Sequence, residues 1–242
     1  MAAQVDIRTG EVLAIVPARG GSKSLPRKNL RLIAGLPMVS HSISHCLSAK
    51  TITRTILTTD DPEIAEAAKQ AGAEVPFLRP SEFAQDHSTD FEFVHHALSW
   101  LKEHEGYEPN LVVQIRPTTP IRRIDLIDEA VLALAARPDA DSLRAVVDVC
   151  FSPYKMWTIA QDGFLSPLLE IQGMSEPYNR PRQILPTAVQ QDGFIDITRP
   201  RTVFKLNSIT GNRILPFYLE RESIDIDHEN DFLSAIRLME GG

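Results

Sequence analysis

The 242-residue sequence predicts an α/β fold, a parallel sheet with helices on both faces. Three observations carry this. Short aliphatic or β-branched runs alternate with segments of helical period as far as about Val149. The first run, Val12 to Val16, is apolar without interruption, as befits a strand covered on both sides. Breakers fall where helices should start and stop: Asp60-Asp61-Pro62 and Gly72.

In order, Val12 to Val16 is the first strand and Pro37 to Leu47 the first helix. Thr53 to Thr58 is a β-branched strand; Asp61 caps the helix that follows, with Pro62 at its first position and Gly72 just past its end. Glu74 to Leu78 reads as a strand. Val94, Ala97, Leu98 and Leu101 recur at helical spacing, as do Ile127, Ala130, Val131 and Leu134, with the strand Leu111 to Ile115 between them. Ser142 to Val149 is the next strand. From Phe151 to Pro186 the chain is rich in Pro, Gly and aromatics and shows no period, which marks a functional loop or an interaction arm. A turn at Asp192-Gly193 then leads into a strand within Gln191 to Thr198. Ile214 to Leu219 is another strand, and a helix over Asp231 to Met239 carries Phe232, Ala235, Ile236 and Met239 on one face, with Asp231 capping or charging its start.

With 43% hydrophobic and 24% charged residues, the composition is that of an ordinary globular protein. The aliphatic stretches are too short to span a bilayer, and Asp6, Arg8 and Glu11 stand where a signal peptide would need an apolar segment. Cys46 and Cys150, the two cysteines, have no metal-ligand pattern around them and read as thiols of a reducing, cytoplasmic compartment. His95 and His96 on a helix, and His87 after Asp86, have no zinc spacing.

The net charge is −7, yet no acidic residue lies between Glu11 and Asp60, a span that holds Arg19, Lys23, Arg27, Lys28, Arg31, Lys50 and Arg54. A local cationic patch on an acidic chain points to a compact anion. Nucleic acid asks for a broader basic footprint than a pI of about 5.5 allows. At the head of this patch, Gly20 and Gly21 permit a sharp turn and a close backbone approach. Their N–H groups, with Ser22 and Lys23, form a cradle suited to phosphate oxygens. The spacing matches neither G-x-x-x-x-G-K-[ST] nor G-x-G-x-x-G.

Taken together, VPARGGSKSLPRKN, TTDDPEIAEAAKQAGAEVPFLRP, RPTTPIR, PRQ-x-LP and SIDID resemble, in order and over nearly the whole chain, the N-acylneuraminate (sialic acid) cytidylyltransferase family. The resemblance implies a Rossmann-like nucleotidyltransferase, a single domain over residues 1–242, in which 150–190 form a dimerisation and acceptor-binding insertion. It implies transfer of CMP from CTP to a nine-carbon 2-keto-3-deoxy sugar acid, with release of pyrophosphate. Related Kdo cytidylyltransferases carry Ser-Thr-Arg where this chain has Ser22-Lys23-Ser24.

By family position, Arg19, Ser22 and Lys28 hold phosphates, with Gly20, Gly21 and Lys23 beside them, while Asn29, Arg79 and the region of Ser88 read cytosine and ribose. Such a transfer rests on charge neutralisation and positioning more than on a covalent catalyst. Asp225 and Asp227, one Ile apart, face the same side of an extended segment. As hard oxygen donors they suit Mg²⁺, and the family places metal-binding, catalytic aspartates there. Lys155 and Arg182 match positions that bind the sugar carboxylate across a homodimer interface, where an Arg fork suits a carboxylate.

Three departures stand out. Arg116 precedes Pro117-Thr118-Thr119-Pro120 where the family has Gln, Asp90 replaces a small hydroxyl residue, and Asp192-Gly193 replaces Asn-Gly. Arg116 falls where acceptor or triphosphate would lie, so the expected acceptor is a relative of sialic acid such as legionaminic or pseudaminic acid. The rival readings are a nucleotidyltransferase of the same fold with another nucleotide or acceptor, and a non-catalytic nucleotide-binding regulator; the Asp225 and Asp227 pair argues against the second.

Overall fold

Val12–Pro17 forms β1, and its alternating side chains divide the core in two. In this computed structural model, residues 9–23, 25–220 and 223–240 are described, so Asp6, Arg8 and Ser24 lie outside the described residues. On one face Val12, Ala14 and Val16 pack with Val39, Ile43 and Cys46 of α1 (Met38–Ser48), Ile64 and Ala68 of α2 (Pro62–Gln70), and Ile127, Ala130, Val131 and Leu134 of α4 (Ile124–Ala135). On the other face Leu13 and Ile15 meet Phe93, Val94, Ala97, Leu98 and Leu101 of α3 (Asp90–Glu105), and Val203 of α5 (Pro200–Leu206). Three layers result, helix on sheet on helix. Leu13 and Ile15 are fully buried, each contributing about 2 kcal/mol by removal from water.

The six-stranded sheet runs in the order β10-β6-β9-β5-β1-β4. Besides β1 it contains β4 (Arg54–Thr58), β5 (Leu111–Gln114), β6 (Ser142–Asp148), β9 (Val189–Thr198) and β10 (Ile214–Tyr218). β1 is parallel to β4 and β5, with Ile15 opposite Ile56 and Gln114. β10 is parallel to β6, and β9 alone runs antiparallel to both its neighbours. Two small antiparallel pairs stand apart, β2 (Leu32–Ile33) with β3 (Leu36–Pro37) and β7 (Trp157–Ile159) with β8 (Leu165–Pro167). The last helix, α6, is Glu229–Glu240. Among the described residues no helix is long and apolar enough to cross a membrane.

The helix signals act as their chemistry predicts. Asp61 Oδ1 accepts from the N–H groups of Glu63 (2.8 Å) and Ile64 (3.2 Å), capping α2. Gly72 follows that helix at φ +95°, a conformation a side chain would strain.

Three expectations need correction. Glu74–Leu78 is no strand: Glu74 makes an isolated parallel bridge with Ile56, and Pro76, with no N–H to donate, cannot extend it. Asp192-Gly193 does not turn the chain but lies inside β9 as a large bulge. From Arg144 to Val146 β6 advances two residues, while β9 steps back five, from Asp196 to Gln191. The Asp192 carboxylate stabilises this bulge by accepting from the N–H of Phe194 at 2.8 Å. Between β6 and β9 the arm is not wholly irregular, since it contains the β7–β8 pair and 3₁₀ turns at Pro153–Lys155, Pro177–Asn179 and Arg182–Ile184. Helix α5, which begins with Pro200 at its first position, has no counterpart in the sequence reading.

Candidate active site

The chain passes from β1 to β4 on one side and returns to β5 on the other, so the sheet's topological switch lies between β1 and β5. Ligands of open α/β sheets bind outside the carboxyl ends of strands at such a point. Two segments emerge there, 18–29 after β1 and 115–119 after β5.

The first is the glycine-rich loop. Gly20 donates its N–H to Asp60 Oδ1 at 3.0 Å. A Cβ on Gly20 would lie 2.8 Å from Asp61 Oδ2, so only glycine fits against the cap of α2. Gly21 has open space where its side chain would be, which leaves its backbone approachable. Ser22 closes a tight turn, its N–H 3.1 Å from Gly20 O. Asn29 is buried and donates Nδ2 to Arg19 O at 3.0 Å, closing the loop on itself. Arg19 Nη1 meets Asp86 Oδ1 at 2.7 Å, and Lys23 reaches the other oxygen of the same carboxylate. Lys23 and then Arg19 hold the Asp86 carboxyl below its usual range. Sequence reasoning passed over Asp86.

Lys28 is not a loop-surface cation. Its side chain is 11% exposed, and Nζ donates to Ile226 O at 2.7 Å and stands 3.4 Å from Asp227 Oδ1. This joins the loop to the segment that carries Asp225 and Asp227. Ile226 is fully buried with Leu25 of the loop, Ile33, Met38, Phe232 and Ala235, while Asp225 and Asp227 on either side of it are exposed. Ile226 N–H also donates to Thr118 O at 2.7 Å. The Asp231 carboxylate accepts from the N–H groups of Asp227 (3.1 Å) and His228 (2.8 Å), and these bonds lower its pKa. Among the described residues no three His, Cys, Asp or Glu side chains converge as a metal cage. Two exposed carboxylates held beside a cationic loop nevertheless fit a hard divalent cation that takes its other ligands from phosphate oxygens and water.

At the carboxyl end of β5, Arg116 lies between two aspartates, with Nη2 2.5 Å from Asp90 Oδ2 and Nη1 2.7 Å from Asp196 Oδ2. Gln114 Nε2 donates to the same Asp90 oxygen at 2.9 Å, and Arg144 Nε stands 3.6 Å from Asp196 Oδ1. Burial works against the Arg116 charge, but Asp196 and Asp90 outweigh it and its pKa is raised. Its charge is thus balanced within the protein. Two of the residues that set this sequence apart, Asp90 and Arg116, prove to be partners.

Arg79, Ser88, Lys155 and Arg182 remain. Arg79 is buried over the Phe93 ring (4.8 Å), with Nη2 2.5 Å from Thr58 O and Nε 3.1 Å from Thr58 Oγ1. Burial pushes its pKa down to about 10. Ser88 Oγ accepts from Gln85 N–H (3.0 Å) and donates to Glu82 O (3.2 Å), shaping its own loop. On the arm, Lys155 Nζ donates to Tyr178 O at 3.1 Å. Arg182 Nη2 donates to Val149 O at 2.8 Å and lines a cleft of about 360 Å³ with Asp148, Ser152 and Thr187.

A family model described as cytidylyltransferase matches residues 13–161, more than half of the chain. The chain belongs to the cytidylyltransferase family. It is 30% identical over 233 residues to the CMP-N,N'-diacetyllegionaminic acid synthase of Legionella pneumophila, covering 95% of this chain and 96% of that one. Against the N-acylneuraminate cytidylyltransferase of Escherichia coli O18:K1:H7 it is 29% identical, covering 95% of this chain but 52% of that longer one. The pseudaminic acid cytidylyltransferase of Campylobacter jejuni matches at 34% over 118 residues, 49% of this chain and 50% of its own length. Among solved structures, a CMP:2-keto-3-deoxy-manno-octonic acid synthetase complexed with CTP superimposes with a TM-score of 0.71, covering 96% of this chain and 99% of its own. At 16% identity that likeness establishes the shared fold.

As a cytidylyltransferase, the chain is a nucleotidyltransferase enzyme whose matched stretch spans the glycine-rich loop, the end of β5 and Lys155. Arg182, Asp192, Asp196, Asp225 and Asp227 lie beyond it. The geometry ties the two regions together, since Lys28 and Thr118 both hold Ile226.

Proposed function

We propose that this cytidylyltransferase transfers CMP from CTP to a 2-keto-3-deoxy nonulosonic sugar acid, a relative of sialic acid, with Mg²⁺ as its cation and pyrophosphate as the second product. The observation that carries the reading is the junction at Lys28, whose Nζ is 2.7 Å from Ile226 O and 3.4 Å from Asp227 Oδ1. It puts a cationic glycine-rich loop and a carboxylate pair at one end of the crevice, as transfer of a nucleotidyl group requires. The legionaminic, N-acylneuraminate and pseudaminic acid enzymes among the relatives support a nonulosonic acceptor.

In the reaction, the acid's anomeric hydroxyl oxygen bonds the α-phosphorus as the bond to the pyrophosphate oxygen breaks. The hydroxyl proton passes to solvent water, and pyrophosphate keeps the electron pair of the broken P–O bond. Arg19, Lys23 and Lys28 neutralise the triphosphate, and the N–H groups of Gly20, Gly21 and Ser22 line its path. To bind phosphate, Arg19 and Lys23 exchange the Asp86 carboxylate for it. Asn29, Arg79 and Ser88 shape the cytosine and ribose side. Asp225 and Asp227 would hold Mg²⁺, which when bound neutralises phosphate charge and helps orient the triphosphate. Arg116 faces the acceptor as a hydrogen-bond donor of balanced charge.

A homodimer completes this reading. Phe151 (77% exposed), Ile159 (77%) and Phe164 (73%) leave the arm with an apolar surface suited to a second copy. Lys155 and Arg182 of one copy would then meet the sugar carboxylate of the other. A cytoplasmic location agrees with two free thiols, one buried and one exposed.

The test is pyrophosphate release with CTP and Mg²⁺ across free sialic, legionaminic, pseudaminic and Kdo acids, with ATP and GTP as controls. Release with a nonulosonic acid and CTP alone is expected. A preference for Kdo over every nonulosonic acid would sink the acceptor class. Asp227→Asn should lower turnover at least tenfold and leave the thermal midpoint unchanged; equal loss of both would make the pair structural.

A further inference from the structure

Arg122, just before α4, is 8% exposed, and among the described residues every hydrogen bond of its guanidinium ends on a neutral oxygen. Nε donates to Phe194 O (2.7 Å), and Nη1 to Ser42 Oγ (3.1 Å) and to Thr119 O. Nη2 donates to Arg116 O (2.8 Å) and Gly193 O (3.3 Å). An enclosed cation with no carboxylate at hydrogen-bond distance among the described residues is costly, so it must earn its place by another route. Burial pushes its pKa down to about 10, and the carboxylates that oppose this from nearby are Asp225 and Asp192.

The acceptors of that fork are not scattered. Ser42 Oγ on α1 apart, they belong to two segments, 116–119 after β5 and the 193–194 part of the β9 bulge. The first of these segments, and Asp192 beside the second, hold the irregular stretch around Asp225 in place. Thr118 O takes the N–H of Ile226 at 2.7 Å, and Asp192 Oδ2 takes the N–H of Ser223 at 2.8 Å. A Cβ on Gly193 would stand 3.0 Å from Thr119 Oγ1 and 3.5 Å from Asp225 Oδ2, so the bare bulge backbone packs directly beside that carboxylate.

We propose that Arg122 is the positioning residue for Asp225: its fork clamps segment 116–119 to the β9 bulge, and the clamped bulge backbone at Gly193 sets where the Asp225 carboxylate lies. The inference rests on reading Asp225 as a cation ligand. It extends that reading to a residue that touches neither cation nor nucleotide. Lysine at this position would keep the charge and lose most of the fork, while methionine would lose both.

Direct Mn²⁺ titration of the full chain with saturating CTP and no acceptor tests this, paired with the Kd for CTP without metal and the thermal midpoint. Arg122→Lys should weaken Mn²⁺ about tenfold, the lower end of what removing an outer-shell partner costs. Metal-free CTP binding should stay within about twofold, and Arg122→Met should lose more Mn²⁺ affinity than Arg122→Lys. Unchanged Mn²⁺ affinity in folded Arg122→Lys would overturn the proposal. So would a parallel fall in Mn²⁺ and metal-free CTP affinity, which would make Arg122 a support of the fold alone. If neither Arg122 variant folds, Gly193→Ala decides, because its methyl group presses on Thr119 beside Asp225 without touching the buried charge. A selective loss of Mn²⁺ affinity is expected there, and none would overturn the idea. The readout needs no sugar acid, so it stands or falls independently of the acceptor chosen above.

Discussion

Arg116 shows how a residue's meaning changes once its partners are known. On its own it adds a cation to an acceptor site; between Asp90 and Asp196 it is a neutralised donor with a fixed direction. Replacing it with Gln leaves two carboxylates facing each other with Arg144 Nε, 3.6 Å from Asp196, as the remaining counter-charge. Arg116→Gln should therefore cost about 2 kcal/mol of stability, less than a fully buried pair because both side chains keep some solvent. Adding Asp90→Ser should recover part of it, as urea denaturation of the single and double variants can check. In steady-state kinetics the KM for the acid should rise while that for CTP holds. A rise confined to CTP would put Arg116 on the triphosphate side.

At the scale of elements, α1 carries a titration the fold must accommodate. His45 on that helix has its pKa pushed down to about 4, first by burial and then by the charges of Arg122 and His41. Among the described residues its buried Nδ1 has no hydrogen-bond partner. A base with a lowered folded-state pKa stabilises the fold fully above its unfolded value of 6.5, and the contribution is lost as pH falls toward about 4. The loss over that window is about 3 kcal/mol. Denaturation at intervals from pH 7 to 4.5 should show the slope, and His45→Leu should flatten it. A slope unchanged in that variant would assign the acid sensitivity elsewhere. The neighbouring Cys46 is also buried, which pushes its thiol up to about 12, so α1 holds no reactive thiolate.

For the whole molecule, the proposed homodimer turns on the arm between β6 and β9. Its apolar residues project outward, and Ile159 and Phe164 sit on or beside the β7–β8 pair, away from the three-layer core. Ile159→Asp combined with Phe164→Asp should give a monomer by sedimentation. The thermal midpoint should barely move, since exposed substitutions away from a core change stability by under about 0.5 kcal/mol each. Pyrophosphate release should fall with the dimer, because Lys155 and Arg182 would no longer meet the other copy's crevice. A variant that stays dimeric would place the interface on another surface.

The sequence by itself determined the β-α-β order, the helix caps at Asp61 and Gly72, the glycine-rich loop and the placing of Asp225 and Asp227 on one face of an extended segment. All of these follow from local rules: side-chain period, turn chemistry and backbone freedom act within a few residues. Pro76 and the Asp192 bulge escaped because a short β-rich run looks the same whether or not a neighbour extends it. Tertiary structure alone decided which charges meet. Asp86 reaches Arg19 from 67 residues away, Asp90 reaches Arg116 from 26 and Asp196 from 80, and Lys28 meets Asp227 across 199. Those separations are bridged by strand order and by the place where the sheet reverses, and charge pairing depends on distance in space rather than on position along the chain.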